Sequence, residues 1–383
     1  MLKYNLSYWE RETFFQPIDV AVIGSGIVGL AAALHLKQLD PKLQVAILER
    51  GPLPIGASTR NAGFACFGSM TELMDDMARM GEDDVLTLVE KRWRGLQRLR
   101  ALVGEENLEF QQLGGYEMFT EDEEDTFLRC AGQIHEFNRK IGSIVGQGEV
   151  YKVVDERIPA FGFRRVRHLI HNQPEGQVHT GKMMATLLAK AERAGVRIFN
   201  GLAVKRLEDS ATGVELETKY GWTIRVPRVL VAVNGFAKSL LADADTTPAR
   251  NQVLVTRPIP GLKLEGCFHY DRGYFYFRNI DGRILIGGGR HLAQDEEKTD
   301  EFGTTEIIRS ALVQLLHTVV CPDHKPEVDT WWSGILGLGP EKKPIIKRTS
   351  QNVVVSVRLS GMGVAIGTLV GQEGAEMILE RKM

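Results

Sequence analysis

The chain has 383 residues, of which 43% are hydrophobic and 25% are charged. This composition is typical of a globular protein, and the length indicates two or three domains. The formal net charge is only −2, which excludes a broad electrostatic field for binding nucleic acid or an anionic membrane.

Membrane insertion and local metal motifs are also disfavoured by the sequence. No apolar run approaches the roughly 18 residues of a membrane span, and the N-terminus lacks the order of a signal peptide. The four cysteines are dispersed without a CxxC spacing, which argues against a zinc site or a disulfide framework. We therefore expect a cytoplasmic protein with no integral membrane segment and no metal.

The first predicted elements form a strand–helix–strand unit. Residues 18–24 are an apolar, β-branched run that predicts a buried strand. Residues 26–38 carry apolar positions at helical spacing, and residues 44–48 predict the next strand. A βαβ unit of this length implies a parallel sheet.

Later elements alternate between helical and β-rich stretches. Helices are predicted over residues 71–102, 180–194, 304–319 and 363–380. A strand is predicted over 196–199, a buried strand over 228–233, an antiparallel meander over 202–227, and an aromatic β-rich region over 250–290. Because the two textures alternate along the chain, we predict discontinuous domains.

A glycine-rich turn joins the first strand to the first helix. Gly24, Gly26 and Gly29 form the pattern G-x-G-x-x-G, which permits a tight turn, close approach of a diphosphate and packing of the helix on the strand. The helix N-terminus adds unpaired N–H groups and partial positive charge. Glu49 ends the second strand, where its carboxylate can accept hydrogen bonds from a ribose diol. The pattern predicts a dinucleotide site, and the acid disfavours a cofactor with a 2′-phosphate.

The residues after Glu49 carry a family resemblance. Arg50 follows Glu49 directly, and residues 56–64 read GASTRNAGF. The E-R pair followed by G-A-S-x-R-N-x-G resembles the D-amino-acid-oxidase-like (DAO) family of FAD-dependent oxidoreductases, which includes glycine oxidase, sarcosine oxidase and γ-glutamylputrescine oxidase. Residues 176–204, 229–235 and 360–367 extend this resemblance over nearly the whole chain.

The resemblance implies an α/β fold, α+β overall, with two discontinuous domains. One is a glutathione-reductase-type FAD-binding Rossmann domain over residues 14–70, 170–240 and 330–383. The other is a substrate domain on an antiparallel sheet over residues 71–169 and 241–329. No cysteine stands where relatives bond covalently to flavin, so we expect non-covalent FAD. The expected cofactor-binding residues are Gly24, Ser25, Gly26, Ile27, Val28, Gly29, Glu49, Arg50, Ser58, Thr59, Arg60, Asn61, Ala62, Gly63, Val204, Asn234, Gly235, Gly334, Arg358, Gly361, Met362, Gly363 and Val364.

The candidate catalytic residues lie in the aromatic region. Tyr270, Tyr274 and Tyr276 share one parity, which predicts one sheet face if the strand is regular. The resemblance assigns Tyr274 to the position over the substrate and makes Arg278 a second candidate. The alternative is that these side chains only pack within or on the sheet.

One position departs from the amino-acid-oxidising relatives, which carry an arginine that clamps the substrate α-carboxylate. Leu336 stands at that place, and leucine cannot pair with a carboxylate. Either Arg278 or Arg358 replaces the missing arginine, or the reacting end of the substrate has no carboxylate.

The resemblance implies oxidation of the C–N bond of a small-molecule amine or amino acid. Hydride transfer to flavin N5 would give an imine that water hydrolyses, with N–H groups of residues 361–364 stabilising the reduced ring. The electron acceptor is O₂ or a carrier. Three alternatives stay open: an FAD dehydrogenase that reduces a quinone or another carrier, an NAD-linked dehydrogenase, and a non-catalytic flavin-binding or tRNA-modification-associated module.

Overall fold

The computed structural model of the protein describes residues 5–380. Nineteen strands occur within this range. In chain order they are β1 (Val20–Ile23), β2 (Val45–Leu48), β3 (Phe64–Ala65), β4 (Gly115–Thr120), β5 (Tyr151–Val153), β6 (Val166–Asn172), β7 (Gly176–Gln177), β8 (Arg197–Phe199), β9 (Val204–Ser210), β10 (Gly213–Thr218), β11 (Thr223–Val226), β12 (Arg228–Val231), β13 (Thr247–Thr256), β14 (Cys267–Tyr270), β15 (Phe275–Ile280), β16 (Arg283–Gly288), β17 (Val328–Leu338), β18 (Ile345–Ser350) and β19 (Val353–Val357).

Nine α-helices occur in the same described range. They are α1 (Ile27–Leu39), α2 (Met70–Met80), α3 (Glu82–Val103), α4 (Glu105–Leu108), α5 (Glu124–Val145), α6 (Ile158–Phe161), α7 (Thr180–Arg193), α8 (Glu306–Leu315) and α9 (Gly363–Leu379). None of these helices is both long enough and apolar enough to cross a membrane.

A six-stranded sheet contains the predicted βαβ unit. Its order is β18-β19-β12-β1-β2-β8, and β1 pairs in parallel with both β12 and β2. Val20 and Val22 of β1 pack into a core that includes residues of α1 and α9, whereas Ala21 and Ile23 face a second core with the β9–β11 meander. Because apolar layers cover both faces, every residue of β1 is buried.

An eight-stranded, mainly antiparallel sheet forms the second layer system. Its order is β17-β13-β16-β15-β14-β4-β6-β5, with β14 and β4 paired in parallel. One face packs against α8 through residues such as Phe268, Phe277 and Leu312. The opposite face turns toward the segment after β2, since Tyr276 clusters with Ala62 there. The fold class and the predicted antiparallel sheet are thus confirmed.

Two details differ from the sequence-based expectations. The single helix predicted over residues 71–102 is two helices, because Gly81 has a φ of 89° that ends α2 before α3 begins. The strand β17 pairs along its length with β13. Residues 328–338 therefore belong to the eight-stranded sheet, whereas the expected FAD-binding domain included every residue from 330 onward. The other domain boundaries stay predictions.

Candidate functional site

The glycine-rich turn has the conformation that the pattern predicts. Gly24 has a φ of 102°, and a Cβ there would lie 2.8 Å from the carbonyl oxygen of Ala232 on the neighbouring chain segment. A Cβ on Gly29 would overlap the carbonyl oxygen of Gly24. The turn and the close approach of α1 to β1 therefore both require glycine.

Glu49 lies buried at the end of β2, directly beside this turn. Its Oε2 accepts hydrogen bonds from the backbone N–H of Ser25 at 3.1 Å and from the Ser25 hydroxyl at 2.7 Å. Its Oε1 accepts a hydrogen bond from the N–H of Gly51 at 2.9 Å. These bonds fix the carboxylate at the wall of a cavity, where its remaining acceptor capacity can receive ribose hydroxyls.

The N-terminus of α1 opens onto the same cavity. Gly26 is the N-cap and offers no side chain to the first turn. The hydroxyl oxygen of Ser58 accepts a hydrogen bond from the Ile27 N–H at 2.9 Å. A helix N-terminus with a serine hydroxyl beside it is a suitable binding site for a diphosphate.

The cavity is a long cleft whose empty volume, including the part open to solvent, is about 1320 Å³. It runs from the end of β2 past the α1 N-terminus to the α9 N-terminus. Its lining from the expected set is Gly24, Gly26, Ile27, Val28, Glu49, Arg50, Ser58, Asn61, Val204, Asn234, Gly361, Gly363 and Val364. The donor set of backbone N–H groups, one hydroxyl and one carboxylate fits an adenine dinucleotide.

The remaining expected residues support the cleft without lining it. Ser25 and Gly29 lie behind the turn, and Thr59 donates its hydroxyl proton to the carbonyl oxygen of Pro54. Arg60 donates to the carbonyl oxygen of Ser333 at 3.0 Å. The members outside the lining are Ser25, Gly29, Thr59, Arg60, Ala62, Gly63, Gly235, Gly334, Arg358 and Met362.

The far end of the cleft is formed by the loop before α9. Asn234 Oδ1 accepts hydrogen bonds from the N–H groups of Arg358 at 3.1 Å and Leu359 at 3.2 Å. The N-cap of α9, Met362, contributes no side-chain cap. The first N–H groups of this 17-residue helix are therefore available to stabilise negative charge in the cleft.

The two arginines considered as carboxylate clamps have structural partners instead. Arg278 is 3% exposed, and its Nη1 donates to the carbonyl oxygens of Gly63 at 3.0 Å and Val178 at 2.9 Å. Arg358 is buried and donates to Asp245 and to the carbonyl oxygen of Lys343. The expectation that Arg278 is a catalytic candidate is not supported, because its guanidinium is buried among backbone acceptors.

The expected shared face of the three tyrosines is wrong. Residues 271–273 all have positive φ and form the turn between β14 and β15. Tyr270 therefore lies on a different strand from Tyr276 and packs with the α8 face. Tyr274 lies in the turn, is 44% exposed and contacts His291, and its position over the substrate stays a prediction.

Tyr276 is the tyrosine that faces the predicted cofactor-binding domain. Its ring centroid lies 5.5 Å from that of Phe64, and its hydroxyl oxygen accepts a hydrogen bond from Asn251 Nδ2 at 3.0 Å. Burial raises the pKa of Tyr276, so the hydroxyl stays protonated at neutral pH. The sequence analysis grouped Tyr276 with Tyr270 and Tyr274 by parity, but the turn before β15 separates it from Tyr270.

The sequence also missed several residues of the cleft wall. Phe236 and Leu240 line it, and the Arg50 guanidinium carbon lies 3.5 Å from the Phe236 ring centroid. Burial lowers the pKa of Arg50 and outweighs the negative charge of Glu49, which acts to raise it. The residue Phe236 could have been found, since it follows the Asn234-Gly235 pair that the resemblance had marked.

A partly buried cluster of charged side chains was not predicted from the sequence. Glu72 pairs with Lys342 at 2.9 Å and with Arg92 at 3.5 Å. Burial raises the pKa of Glu72, but the charges of Lys342 and Arg92 outweigh burial and lower it to about 2. Burial lowers the pKa of the His269 imidazole, and the nearby negative charge of Glu72 only partly offsets this effect.

Comparison with known proteins gives a family match over almost the whole chain. The family model described as FAD dependent oxidoreductase (DAO) matches residues 19–377. A probable oxidoreductase OrdL from Rhizobium meliloti is 24% identical and covers 94% of this chain and 83% of the relative. A glycine oxidase from Bacillus licheniformis is 21% identical and covers 94% of this chain and 93% of the relative.

Solved structures share the fold. An iminodiacetate oxidase from Chelativorans sp. BNC1 superposes with a TM-score of 0.76 at 21% identity, covering 95% of this chain and 96% of the other. A glycine oxidase from Geobacillus kaustophilus superposes with a TM-score of 0.75 at 20% identity, covering 95% of each chain.

Proposed function

Because the chain belongs to the DAO family of FAD-dependent oxidoreductases, we propose that it oxidises the C–N bond of an amine. The observation that carries this proposal is the cleft that is lined by the N-termini of α1 and α9, by Glu49 and by Leu336. The family match replaces the alternative of an NAD-linked dehydrogenase with an FAD enzyme. We also propose that the protein is located in the cytoplasm.

We assign the cofactor contacts by chemistry along the cleft. Glu49 would hold the ribose hydroxyls, and the N–H groups at the start of α1 with the Ser58 hydroxyl would hold the diphosphate. The N–H groups at the start of α9 would lie beside the flavin ring and stabilise the negative charge of its reduced form. No cysteine lines the cleft in the described part of the chain, which supports non-covalent binding.

The substrate is proposed to lack a carboxylate next to the reacting carbon. Leu336 lines the cleft, and the family resemblance implies that amino-acid-oxidising relatives carry an arginine at this position. Arg278 and Arg358 are occupied by backbone carbonyls and Asp245. Drawing the Arg278 guanidinium to a substrate would leave two buried carbonyl oxygens unpaired, at about 1–3 kcal/mol each, and drawing Arg358 away would break its ion pair with Asp245. A primary or secondary amine without an α-carboxylate fits this set of groups.

The chain's own groups orient the amine and exclude water. When bound, FAD supplies the acceptor for a hydride from the carbon beside the amine nitrogen. Tyr276 faces the substrate side of the cofactor in this proposal, and its protonated hydroxyl can donate a hydrogen bond. Water then hydrolyses the imine to a carbonyl compound and ammonia or an amine. The amine reacts in its neutral form, so no side chain is assigned as a base.

The proposal is tested by anaerobic titration of the purified protein with a panel of substrates. Primary and secondary amines without a carboxylate are compared with glycine, sarcosine and iminodiacetate, and the flavin absorbance is followed. We expect the first group to bleach the flavin. Bleaching by amino acids alone would refute the proposed substrate class, and bleaching by none would refute amine oxidation. Oxygen uptake compared with dye reduction then identifies the acceptor.

A further inference from the structure

Four ligand-type side chains from distant parts of the chain meet on the inner face of the eight-stranded sheet. Cys66 follows β3, Glu175 precedes β7, and Cys267 and His269 lie on β14. Ala65 of β3 pairs with Gly176 of β7, which sets Cys66 and Glu175 side by side. Cys267 and His269 are two residues apart on one strand, so their side chains share one face.

The geometry of this cluster is close to that of a metal site. Ligand atoms of Cys66, Glu175 and His269 all lie within 4.8 Å of one another. The sulfur of Cys267 lies 3.3 Å from the carbonyl oxygen of Gly176, and the sulfur of Cys66 lies 3.9 Å from the same oxygen. Ligands about 2.0–2.3 Å from a tetrahedral zinc lie roughly 3.3–3.8 Å apart. Side-chain shifts of about 1 Å would therefore bring the ligand atoms of Cys66, Glu175 and His269 to this spacing.

Two further observations support a ligand here. The Nε2 atom of His269 is buried and has no hydrogen-bond partner among the described residues. An unpaired buried imidazole nitrogen costs free energy, which a metal ion would recover. Glu175 Oε1 accepts hydrogen bonds from the N–H groups of Phe67 at 2.7 Å and Gly68 at 3.0 Å, as is usual for an oriented carboxylate ligand.

We propose that Cys66, Glu175, His269 and Cys267 bind one divalent, thiolate-accepting metal ion, with zinc the ion that this donor set suits best. One thiolate, one carboxylate and one neutral imidazole balance the charge of a 2+ ion, so the complex with these three ligands is neutral. Coordination by Cys267 as the fourth ligand releases its thiol proton and gives the complex a net charge of −1. The ion replaces the thiol proton of Cys66 and any proton on Glu175. This site departs from the metal-free expectation, which was based only on local cysteine spacing and could not register contacts between distant segments.

Metal analysis of the full-length, flavin-loaded protein tests the site. We expect about one zinc per chain by mass spectrometry, and we expect Co²⁺ added after chelator treatment to give the absorption bands of cobalt–thiolate coordination. Loss of a residue that only hydrogen-bonds to a metal ligand typically weakens metal binding by roughly 10–100-fold. Cys66→Ser removes a ligand itself, so it should weaken Co²⁺ binding by more than that. Cys321→Ser, which removes another buried cysteine, should bind Co²⁺ like the wild type.

Several outcomes would overturn the proposal. These are a wild-type protein that takes up neither zinc nor Co²⁺, Co²⁺ spectra without thiolate bands, or undiminished binding by Cys66→Ser. Non-reducing peptide mapping that finds Cys66 and Cys267 joined in a disulfide would also overturn it. If Cys66→Ser does not fold, as judged by flavin content and Tm, His269→Gln provides the second variant, and the wild-type spectrum remains decisive.

Discussion

Replacing Arg278 by methionine separates a structural role of this side chain from a role in substrate binding. Methionine occupies similar space but cannot donate a hydrogen bond. The change leaves the carbonyl oxygens of Gly63 and Val178 without the donors that now lie 3.0 Å and 2.9 Å away. Both contacts are buried, and each unpaired group costs about 1–3 kcal/mol.

The expected loss is therefore about 2–6 kcal/mol from the two carbonyl groups. If each kcal/mol lowers Tm by about 2 °C in a chain of this size, Tm should fall by roughly 4 °C or more. The assay is thermal unfolding followed by near-ultraviolet circular dichroism, together with amine-dependent flavin reduction of the folded protein. Arg225→Met is the matched control, since Arg225 is an exposed residue paired with Glu215 and should change stability by less than about 0.5 kcal/mol.

The kinetic result separates the two roles. A structural Arg278 predicts a destabilised variant whose folded fraction keeps the wild-type half-saturating amine concentration. An unchanged Tm with a large rise in that concentration would refute our interpretation and restore Arg278 as a substrate ligand.

Three further predictions follow from particular contacts. Tyr276→Phe should slow flavin reduction without lowering flavin content, whereas Tyr274→Phe should leave the rate unchanged; equal effects in stopped-flow reduction would contradict the assignment of Tyr276. Gly371→Ala should cost about 1–3 kcal/mol and reduce retained flavin, because its Cβ would press on the backbone of α1, while Gly132→Ala, in open space within α5, should stabilise by up to about 1 kcal/mol; calorimetry that ranks them in the opposite order would show that α9 packs differently. Burial raises the pKa of Glu117 from 4.5 to about 7, so the folded state binds the extra proton and stability falls as pH rises from about 4.5 to 7. Glu117→Gln should flatten this part of the Tm–pH curve, and an unchanged slope would argue against a buried Glu117 carboxyl.

The sequence predicted those parts of the site that depend on local patterns. The β1–α1–β2 unit, the positive φ of Gly24 and the position of Glu49 all follow from a short segment in which strand, turn and helix constrain one another. The lining that directly follows β1 and β2 was accordingly predicted, whereas Ile23 and Leu48 on the strands themselves were not. The predicted lining here is Gly24, Gly26, Ile27, Val28, Glu49 and Arg50. The α9 N-terminus was also placed correctly because its glycine-rich loop is distinctive.

The substrate side could not be predicted in the same way because its contacts join distant segments. The role of Arg278 depends on the carbonyl groups of Gly63 and Val178, which are brought to β15 only by the complete fold. The sheet face on which Tyr276 lies depends on the three-residue turn before β15. The positive φ values of that turn cannot be derived from the alternation of side chains along a strand. The ion pairs of Glu72 with Lys342 and Arg92 likewise require tertiary structure.

A crystal structure of the purified yellow protein tests the central claim most directly. We predict electron density for FAD along the cleft, with ribose hydroxyl oxygens within hydrogen-bond distance of the Glu49 carboxylate and the diphosphate against the N-terminus of α1 and the Ser58 hydroxyl. Density that places the adenosine ribose away from Glu49, or a protein that does not retain FAD when the cofactor is supplied, would contradict this account.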